Sequence, residues 1–205
     1  MKRIWIATLC LFGALQLSAQ EPLKDWANFG KYEQENAAIK QPIKVVFMGN
    51  SITEGWRATD PDFFTKNNYA GRGIGGQVSA QMLMRFRPDV IDLEPQAVVI
   101  LAGTNDLAHN DYAVSPEKTF GNIVSMIQLA EANRIKVILC STMPAYQFGW
   151  RKELRPAEEI KALNSMRMNI ISHTSIIMQQ CKTNVADYRK SIPKMESIRH
   201  WKDTK

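Results

Sequence analysis

The chain has 205 residues, of which 45% are hydrophobic and 22% are charged, and its formal net charge at pH 7 is +6. This length and composition predict a globular protein with a sizeable core. No stripe of Lys and Arg with interleaved aromatic residues occurs, so the sequence predicts no nucleic-acid partner.

The N-terminal segment differs in character from the rest of the chain. Lys2 and Arg3 precede a mostly apolar run of residues 4–17, and the segment ends with Ala19. A basic start, a short apolar run and small residues at the end are typical of a secretory signal peptide. We therefore predict a signal peptide over residues 1–19 and an exported protein, periplasmic or extracellular. The apolar run is short for a membrane span, which needs about 20 residues.

The three cysteines allow further interpretations of an exported chain. Cys10 offers lipoprotein anchoring as an alternative, but Leu9 precedes it where a lipobox has a small residue, so this anchor is disfavoured. Cys140 lies in the apolar run KVILCS and is interpreted as a buried core residue. A disulfide between Cys140 and Cys181 stays open.

Beyond a polar and partly helical lead-in of residues 20–42, short apolar runs alternate with helical patterns. These runs have no polar face, which is typical of strands buried on both sides of a parallel sheet. Such alternation predicts an α/β fold with helices on both faces of the sheet. The predicted strands cover residues 43–48, 97–102 and 136–141 with a short one near Tyr69, and the predicted helices cover residues 77–86, a segment that starts at Ser115-Pro116, and residues 159–166.

Three loops beside the predicted strands carry residues that are suited to catalysis or ligand binding. They are Gly-Asn-Ser at 49–51, GRGIGG at 71–76 and GTND at 103–106. The carboxyl ends of parallel strands lie at one edge of a sheet, where such folds bind ligands. The sequence therefore predicts that these loops converge on one site.

Ser51 is either a nucleophile or only the N-cap of the next helix. A serine nucleophile needs a base, and the oxyanion that it creates needs fixed hydrogen-bond donors. The backbone N–H groups of Ser51 and Gly76 and the side chain of Asn105 would form a three-donor oxyanion hole. Gly75 is the less favoured choice for the middle donor. Each loop taken alone is better explained as an ordinary turn or cap, and only the three together favour a site.

The segments GNSIT, GIGGQ and AGTND resemble three ordered blocks of the SGNH hydrolase superfamily, also called GDSL lipases or esterases. Asn50 stands where that family has Asp. The resemblance is clear over residues 43–164 of a predicted domain at 43–205. It implies a three-layer α/β/α, flavodoxin-like fold and ester hydrolysis without a metal or other cofactor.

The same resemblance implies roles for single residues and a class of substrate. It makes Ser51 the nucleophile and Gly76 and Asn105 the oxyanion donors. It also implies a small-molecule or carbohydrate ester as substrate, with acyl groups removed from carbohydrates or lipids. Trp56, Trp150 and Tyr146 follow predicted strands; we interpret them as packing residues, with stacking on a sugar as the alternative.

The family's fourth block, Asp-x-x-His near the C-terminus, supplies the base, and the sequence contains no such pattern. His109 is interpreted as a loop residue and His173 as structural or exposed. His200 is a weak candidate for the general base, paired with Asp187 or Asp203, and the base is otherwise unassigned.

The tail loses the expected pattern from about Asn164, with no clear final strand and only a weak one in TNVADY, residues 183–188. We interpret this loss as a truncation or a change of reading frame.

The sequence leaves two alternatives to a working esterase. One is a catalytically impaired domain that binds carbohydrate. The other is a phosphate- or nucleotide-binding flavodoxin-like protein, which Asn105-Asp106 and the absent phosphate-loop Lys disfavour.

Overall fold

A computed structural model of the chain describes residues 24–171 and 177–179. Strands and helices alternate through most of this part of the chain, as the sequence predicts. Their bounds, in chain order, are α1 (Gly30–Ala38), β1 (Val45–Gly49), α2 (Ser51–Thr59), α3 (Pro61–Asn67), β2 (Tyr69–Gly73), α4 (Ser79–Met84), α5 (Phe86–Asp89), a 3₁₀ turn (Ile91–Leu93), β3 (Ala97–Leu101), α6 (Thr104–Leu107), α7 (Pro116–Ala132), β4 (Lys136–Cys140), α8 (Ala157–Ile171) and β5 (Ile177–Gln179).

The five strands form one parallel sheet in the order β2-β1-β3-β4-β5. This order, 2-1-3-4-5, is the flavodoxin-like order of doubly wound folds. Strand β1 lies between β2 and β3, with Val45 paired to Tyr69 on one side and to Ala97 on the other. The carboxyl ends of β1, β2 and β3 therefore lie side by side. The predicted flavodoxin-like α/β fold is confirmed.

Each face of the sheet buries its own apolar layer. On one face, residues such as Met48 and Ile100 pack with the apolar sides of α4, α5, α7 and α8. On the other face, Phe47 meets an aromatic cluster from α2 and α3, with its ring centroid 5.3 Å from that of Trp56 and 5.4 Å from that of Phe64. Two apolar layers on one sheet explain why β1 and β3 are apolar throughout.

Trp56 is completely buried in that aromatic cluster and stacks on Phe63 at 4.6 Å between centroids. It therefore packs the core, and the alternative of sugar stacking is wrong for this residue. Cys140 is also fully buried, at the end of β4, in agreement with its interpretation as a core residue. Cys181 lies outside the described residues.

The predicted helix over residues 77–86 is divided in the structure. Helix α4 ends at Met84, Arg85 has φ −91° and ψ 6°, and α5 begins at Phe86. Pro88 explains the break, because it has no N–H for the carbonyl of Met84 and its ring would crowd that carbonyl. The break leaves the guanidinium of Arg85 buried, where it donates to the carbonyl oxygens of Gly49 (3.3 Å) and Arg72 (2.9 Å).

Two other predicted segments differ in their bounds. The first half of GRGIGG belongs to β2, so the loop proper is Ile74-Gly75-Gly76. Helix α8 continues past Asn164 to Ile171, and β5 pairs in parallel with β4, so the described residues contain a further strand that the sequence did not reveal. The weak strand predicted at residues 183–188 lies outside the described residues. Helix α7 begins as predicted, with the Ser115 hydroxyl accepting a hydrogen bond from Lys118 N–H at 3.4 Å.

The lead-in packs on the domain through α1. The Tyr32 hydroxyl donates to the carbonyl of Gly73 at 2.5 Å, and Glu35 pairs with the buried Arg72 at 2.7 Å. These contacts bring α1 to the carboxyl end of β2. Within residues 24–171 and 177–179, no helix has the length and apolar character needed to cross a membrane.

Candidate active site

The turn after β1 exposes Ser51. Asn50 caps helix α2, because its side-chain oxygen accepts the N–H of Ile52 at 3.0 Å. Ser51 is the first residue of the helix and is exposed, and in the described part of the chain its hydroxyl has no hydrogen-bond partner. The alternative that Ser51 itself is the N-cap is therefore wrong. A Cβ on Gly49 would collide with the Thr53 side chain, so this turn requires glycine.

The glycine loop after β2 lies beside Ser51. Ile74 N–H donates to the carbonyl of Gly49 at 3.1 Å, which ties the loop to the nucleophile turn. A Cβ built on Gly75 would lie 3.8 Å from the Cβ of Ser51. Gly75 N–H is occupied, because it donates to Glu54 Oε2 at 2.7 Å.

Gly76 differs from Gly75 in the hydrogen bonding of its N–H. Its φ is +76°, in the left-handed region that favours glycine. Its carbonyl accepts from Asn110 Nδ2 at 3.3 Å, whereas its N–H finds no acceptor among the described residues. Gly76 N–H is thus an available donor in the loop beside Ser51, and Gly75 N–H is not. This difference supports Gly76 as the middle donor.

Asn105 lies in α6, directly after β3, and is buried. Its Nδ2 donates to the carbonyl of Gln77 at 2.9 Å, and its own carbonyl accepts from Asn110 N–H at 3.0 Å. An amide nitrogen carries two hydrogens, so the second remains available for a ligand. The structure therefore brings the loop of Asn105 to the glycine loop, at the edge where Ser51 is exposed.

Asp106 performs a different task from Asn105. Both of its carboxylate oxygens accept from Ser79, through N–H at 2.9 and 3.0 Å and through the hydroxyl at 2.5 Å. Asn122 donates to that hydroxyl at 2.9 Å. Burial raises the pKa of the Asp106 carboxyl, and the hydrogen bonds from Ser79 oppose the shift. Asp106 thus fixes the start of α4, a role that sequence reasoning missed.

The described residues contain one histidine, His109, two residues past the end of α6. Its N–H donates to the carbonyl of Asp106 at 2.9 Å, and its carbonyl accepts from Arg151 at 3.1 Å. Both contacts are made by the backbone, which agrees with the interpretation of His109 as a loop residue. The candidate base His200, together with His173, Asp187 and Asp203, lies outside the described residues.

Aromatic side chains line the outer side of this edge. Trp150 is 57% exposed, stacks on Phe148 at 5.2 Å between centroids, and donates its indole N–H to Asn110 Oδ1 at 2.8 Å. Trp26 donates its indole N–H to the side chain of Asp111, the residue after Asn110, at 3.0 Å. Sequence reasoning missed Asn110 and Trp26, because neither belongs to a motif.

Tyr146 is 76% exposed, and the Arg155 guanidinium lies 5.2 Å from the centre of its ring. In residues 24–171 and 177–179 no group of three or more His, Cys, Asp or Glu side chains has the arrangement of a metal site.

A sequence model of the GDSL-like lipase/acylhydrolase family matches residues 47–178. The chain belongs to this family. The match begins inside β1 and reaches β5, so it includes all three loops of the site and extends past Asn164. The resemblance to GDSL/SGNH hydrolases is confirmed, and membership of the family supports an ester hydrolase.

Two solved structures agree with this assignment, and the chain is also similar to one curated protein over part of its length. A GDSL-like lipase from Bacteroides thetaiotaomicron is 52% identical, with a TM-score of 0.73 over 75% of this chain and 78% of that one. A proposed acylhydrolase from Bacteroides fragilis is also 52% identical, with a TM-score of 0.74 over 77% and 78% of the two chains. The uncharacterized lipoprotein YqeF of Bacillus subtilis is 36% identical over 75 residues, which are 35% of this chain and 31% of that protein.

Proposed function

We propose that this chain is an exported serine esterase that hydrolyses carboxylic esters with Ser51 as its nucleophile. The observation that carries the proposal is the convergence at one sheet edge of an exposed Ser51, an available Gly76 N–H and a buried Asn105 amide. Family membership and the two 52% identical structures support the same reaction class.

The proposed reaction has two steps. In the first, Ser51 Oγ attacks the acyl carbon, and the carbonyl oxygen becomes an oxyanion held by Ser51 N–H, Gly76 N–H and Asn105 Nδ2. A base takes the serine proton and gives it to the departing alcohol, which leaves an acyl-enzyme. In the second step, water attacks the same carbon and releases the acid and Ser51. Each oxyanion donor contributes about 3–4 kcal/mol to lowering the barrier.

The identity of the general base is a proposal that rests on the sequence. A histidine is the usual partner of a serine nucleophile, and the chain has only three, at positions 109, 173 and 200. We propose His200 for this role, with Asp187 or Asp203 as the acid that orients it. Alanine at each histidine position in turn tests the proposal, because loss of a triad base costs about 10⁴-fold or more in turnover.

Hydrolysis of p-nitrophenyl acetate by the full chain tests the nucleophile. Ser51→Ala should abolish turnover, and Ser125→Ala serves as the matched control because its hydroxyl bonds to Gly121 within α7. Circular dichroism confirms that both variants fold. Equal background rates for folded wild-type and Ser51→Ala protein would overturn the proposal and favour the alternative of an impaired, carbohydrate-binding domain.

For the substrate, we propose an acyl group carried by a carbohydrate, with a lipid ester as the alternative. The exposed rings of Trp150 and Tyr146 support this choice, because an indole whose N–H is already bonded offers its face to a sugar ring. Two hydrogen bonds in series, from Trp150 to Asn110 and from Asn110 to the carbonyl of Gly76, connect the indole with the glycine loop and support the same choice.

We further propose that residues 1–19 direct export and that the catalytic domain extends from residue 43 to residue 205. The basic and apolar pattern of the N-terminal segment supports export, as does the lipoprotein name of the Bacillus subtilis relative. Anchoring through Cys10 remains the disfavoured alternative. Fractionation of expressing cells, compared with a Cys10→Ala variant, separates release into the periplasm or medium from lipid anchoring.

A further inference from the structure

We propose that Glu54 is a positioning residue that fixes the glycine loop so that Gly76 N–H, and not Gly75 N–H, faces the reacting oxygen. The inference rests on the proposed esterase function. It concerns a residue outside the three oxyanion donors and the nucleophile.

Glu54 stands one helical turn after Ser51, and residues three apart share a face of a helix. Its Oε2 accepts Gly75 N–H at 2.7 Å. Its Oε1 forms an ion pair with Lys31 of α1. One short helix thus carries both Ser51 and the group that holds the loop beside it.

The contact decides which glycine amide is free. Gly75 and Gly76 are both exposed and adjacent, and without a Cβ each can sample a wide range of backbone angles. Bonding Gly75 N–H to a carboxylate removes that freedom at one of the two positions and leaves the other N–H available. Oxyanion donors act only when they are held in place before the reaction, so this restriction supports catalysis.

Each carboxylate oxygen of Glu54 has its own partner. One carboxylate oxygen is occupied by Gly75 and the other by Lys31. The Lys31 pair is partly exposed, with about a third of each side chain accessible (31% and 37%), and pairs of this kind contribute little. The hydrogen bond to Gly75, and not the ion pair, is therefore the part that positions the loop.

Four variants of the full chain separate these roles by turnover of p-nitrophenyl acetate. Glu54→Ala should lower kcat by about 10- to 100-fold with KM nearly unchanged, since a donor displaced by about 1 Å weakens only the transition state. Glu54→Gln should restore most of kcat, because its amide oxygen still accepts Gly75 N–H. Lys31→Ala and the exposed Glu131→Ala should resemble the wild type.

The proposal is overturned if folded Glu54→Ala keeps the wild-type kcat, or if Glu54→Gln is as impaired as Glu54→Ala. A second measurement is independent of turnover: hydrogen exchange of the Gly75 amide, followed by NMR, should accelerate in Glu54→Ala but not in Lys31→Ala. If the wild type shows no Ser51-dependent turnover while this amide still responds to Glu54→Ala, the esterase function fails but the loop contact stands. An amide that does not respond overturns the positioning role by itself.

Discussion

The side-chain amide of Asn105 donates a hydrogen bond to the backbone carbonyl of Gln77, with 2.9 Å between Nδ2 and O. Gln77 follows directly after the glycine loop, so this bond joins the loop after β3 to the loop after β2. Gln77 is itself held, because its Nε2 donates to the carbonyl of Ala27 at 2.8 Å and its Oε1 accepts from Arg85 at 2.7 Å. The amide of Asn105 is thus oriented through backbone and buried partners before any substrate arrives.

This orientation predicts the effect of Asn105→Ala. Turnover of p-nitrophenyl acetate should fall by about 10²- to 10³-fold, because the variant removes one oxyanion donor. Asn133→Ala is the matched control, since its side chain donates to Leu129 at the exposed end of α7. A wild-type kcat in folded Asn105→Ala would exclude this side chain from the oxyanion hole.

Asp106 predicts a pH dependence of stability. Burial raises the pKa of its carboxyl above the unfolded value of about 3.9, so the folded state favours the protonated form. The contribution of this pKa shift to the free energy of unfolding is fully present below the pKa of the unfolded state. It is lost as pH rises through the pKa of the folded state. The free energy of unfolding of the wild type, minus that of Asp106→Asn, should therefore decrease from about pH 4 upward and then level off.

Urea unfolding of both proteins across this pH range measures that difference. Glu117→Gln provides a comparison of opposite sign, because the hydrogen bond with Ser115 lowers the pKa of the Glu117 carboxyl. The wild type should gain stability over Glu117→Gln as pH rises. A flat or rising difference for Asp106→Asn would contradict the stated cause of its shift.

The sequence predicted the parts of this site that depend on local chemistry. A β-branched run that ends in glycine predicts β1 and its turn, and the order of the blocks predicts Ser51, Gly76 and Asn105 at one edge. Residues such as Asn110, Glu54 and Trp26 act through contacts with distant parts of the chain. Trp26 and Asp111, for example, are 85 residues apart, and neither residue alone indicates that contact.

The short strand β5 and the division between α4 and α5 escaped prediction for a different reason. Three residues are too few to show strand periodicity, so β5 is defined by its pairing with β4 and not by its own pattern. The apolar spacing of residues 78–86 continues across the division. The helical hydrogen bonds do not, because Pro88 has no N–H to donate to the carbonyl of Met84. A pattern read from side chains does not record a missing backbone donor.

From the exposed position of Trp150 we predict that its replacement changes the substrate preference. Trp150→Ala should raise KM for an acetylated pyranoside by about tenfold, equivalent to about 1.4 kcal/mol of binding, and leave KM for p-nitrophenyl acetate unchanged. Trp150→Phe keeps an aromatic face but loses the bond to Asn110, so it should give an intermediate KM. Equal effects on both substrates would show that Trp150 supports the loop and does not bind a sugar.

Two glycines flanking the site predict opposite effects of the same substitution. A Cβ on Gly55, on the α2 surface, would meet nothing within 4 Å, so Gly55→Ala should stabilise the helix by about 0.5–1 kcal/mol. A Cβ on Gly73 would overlap the backbone of Thr53 and Glu54, which cannot move without displacing the helix that carries Ser51. Gly73→Ala should therefore lower both the free energy of unfolding and kcat. Thermal unfolding and turnover of the two variants check this pair, and a Gly73→Ala protein as stable and active as the wild type would contradict the close packing of α2 on β2.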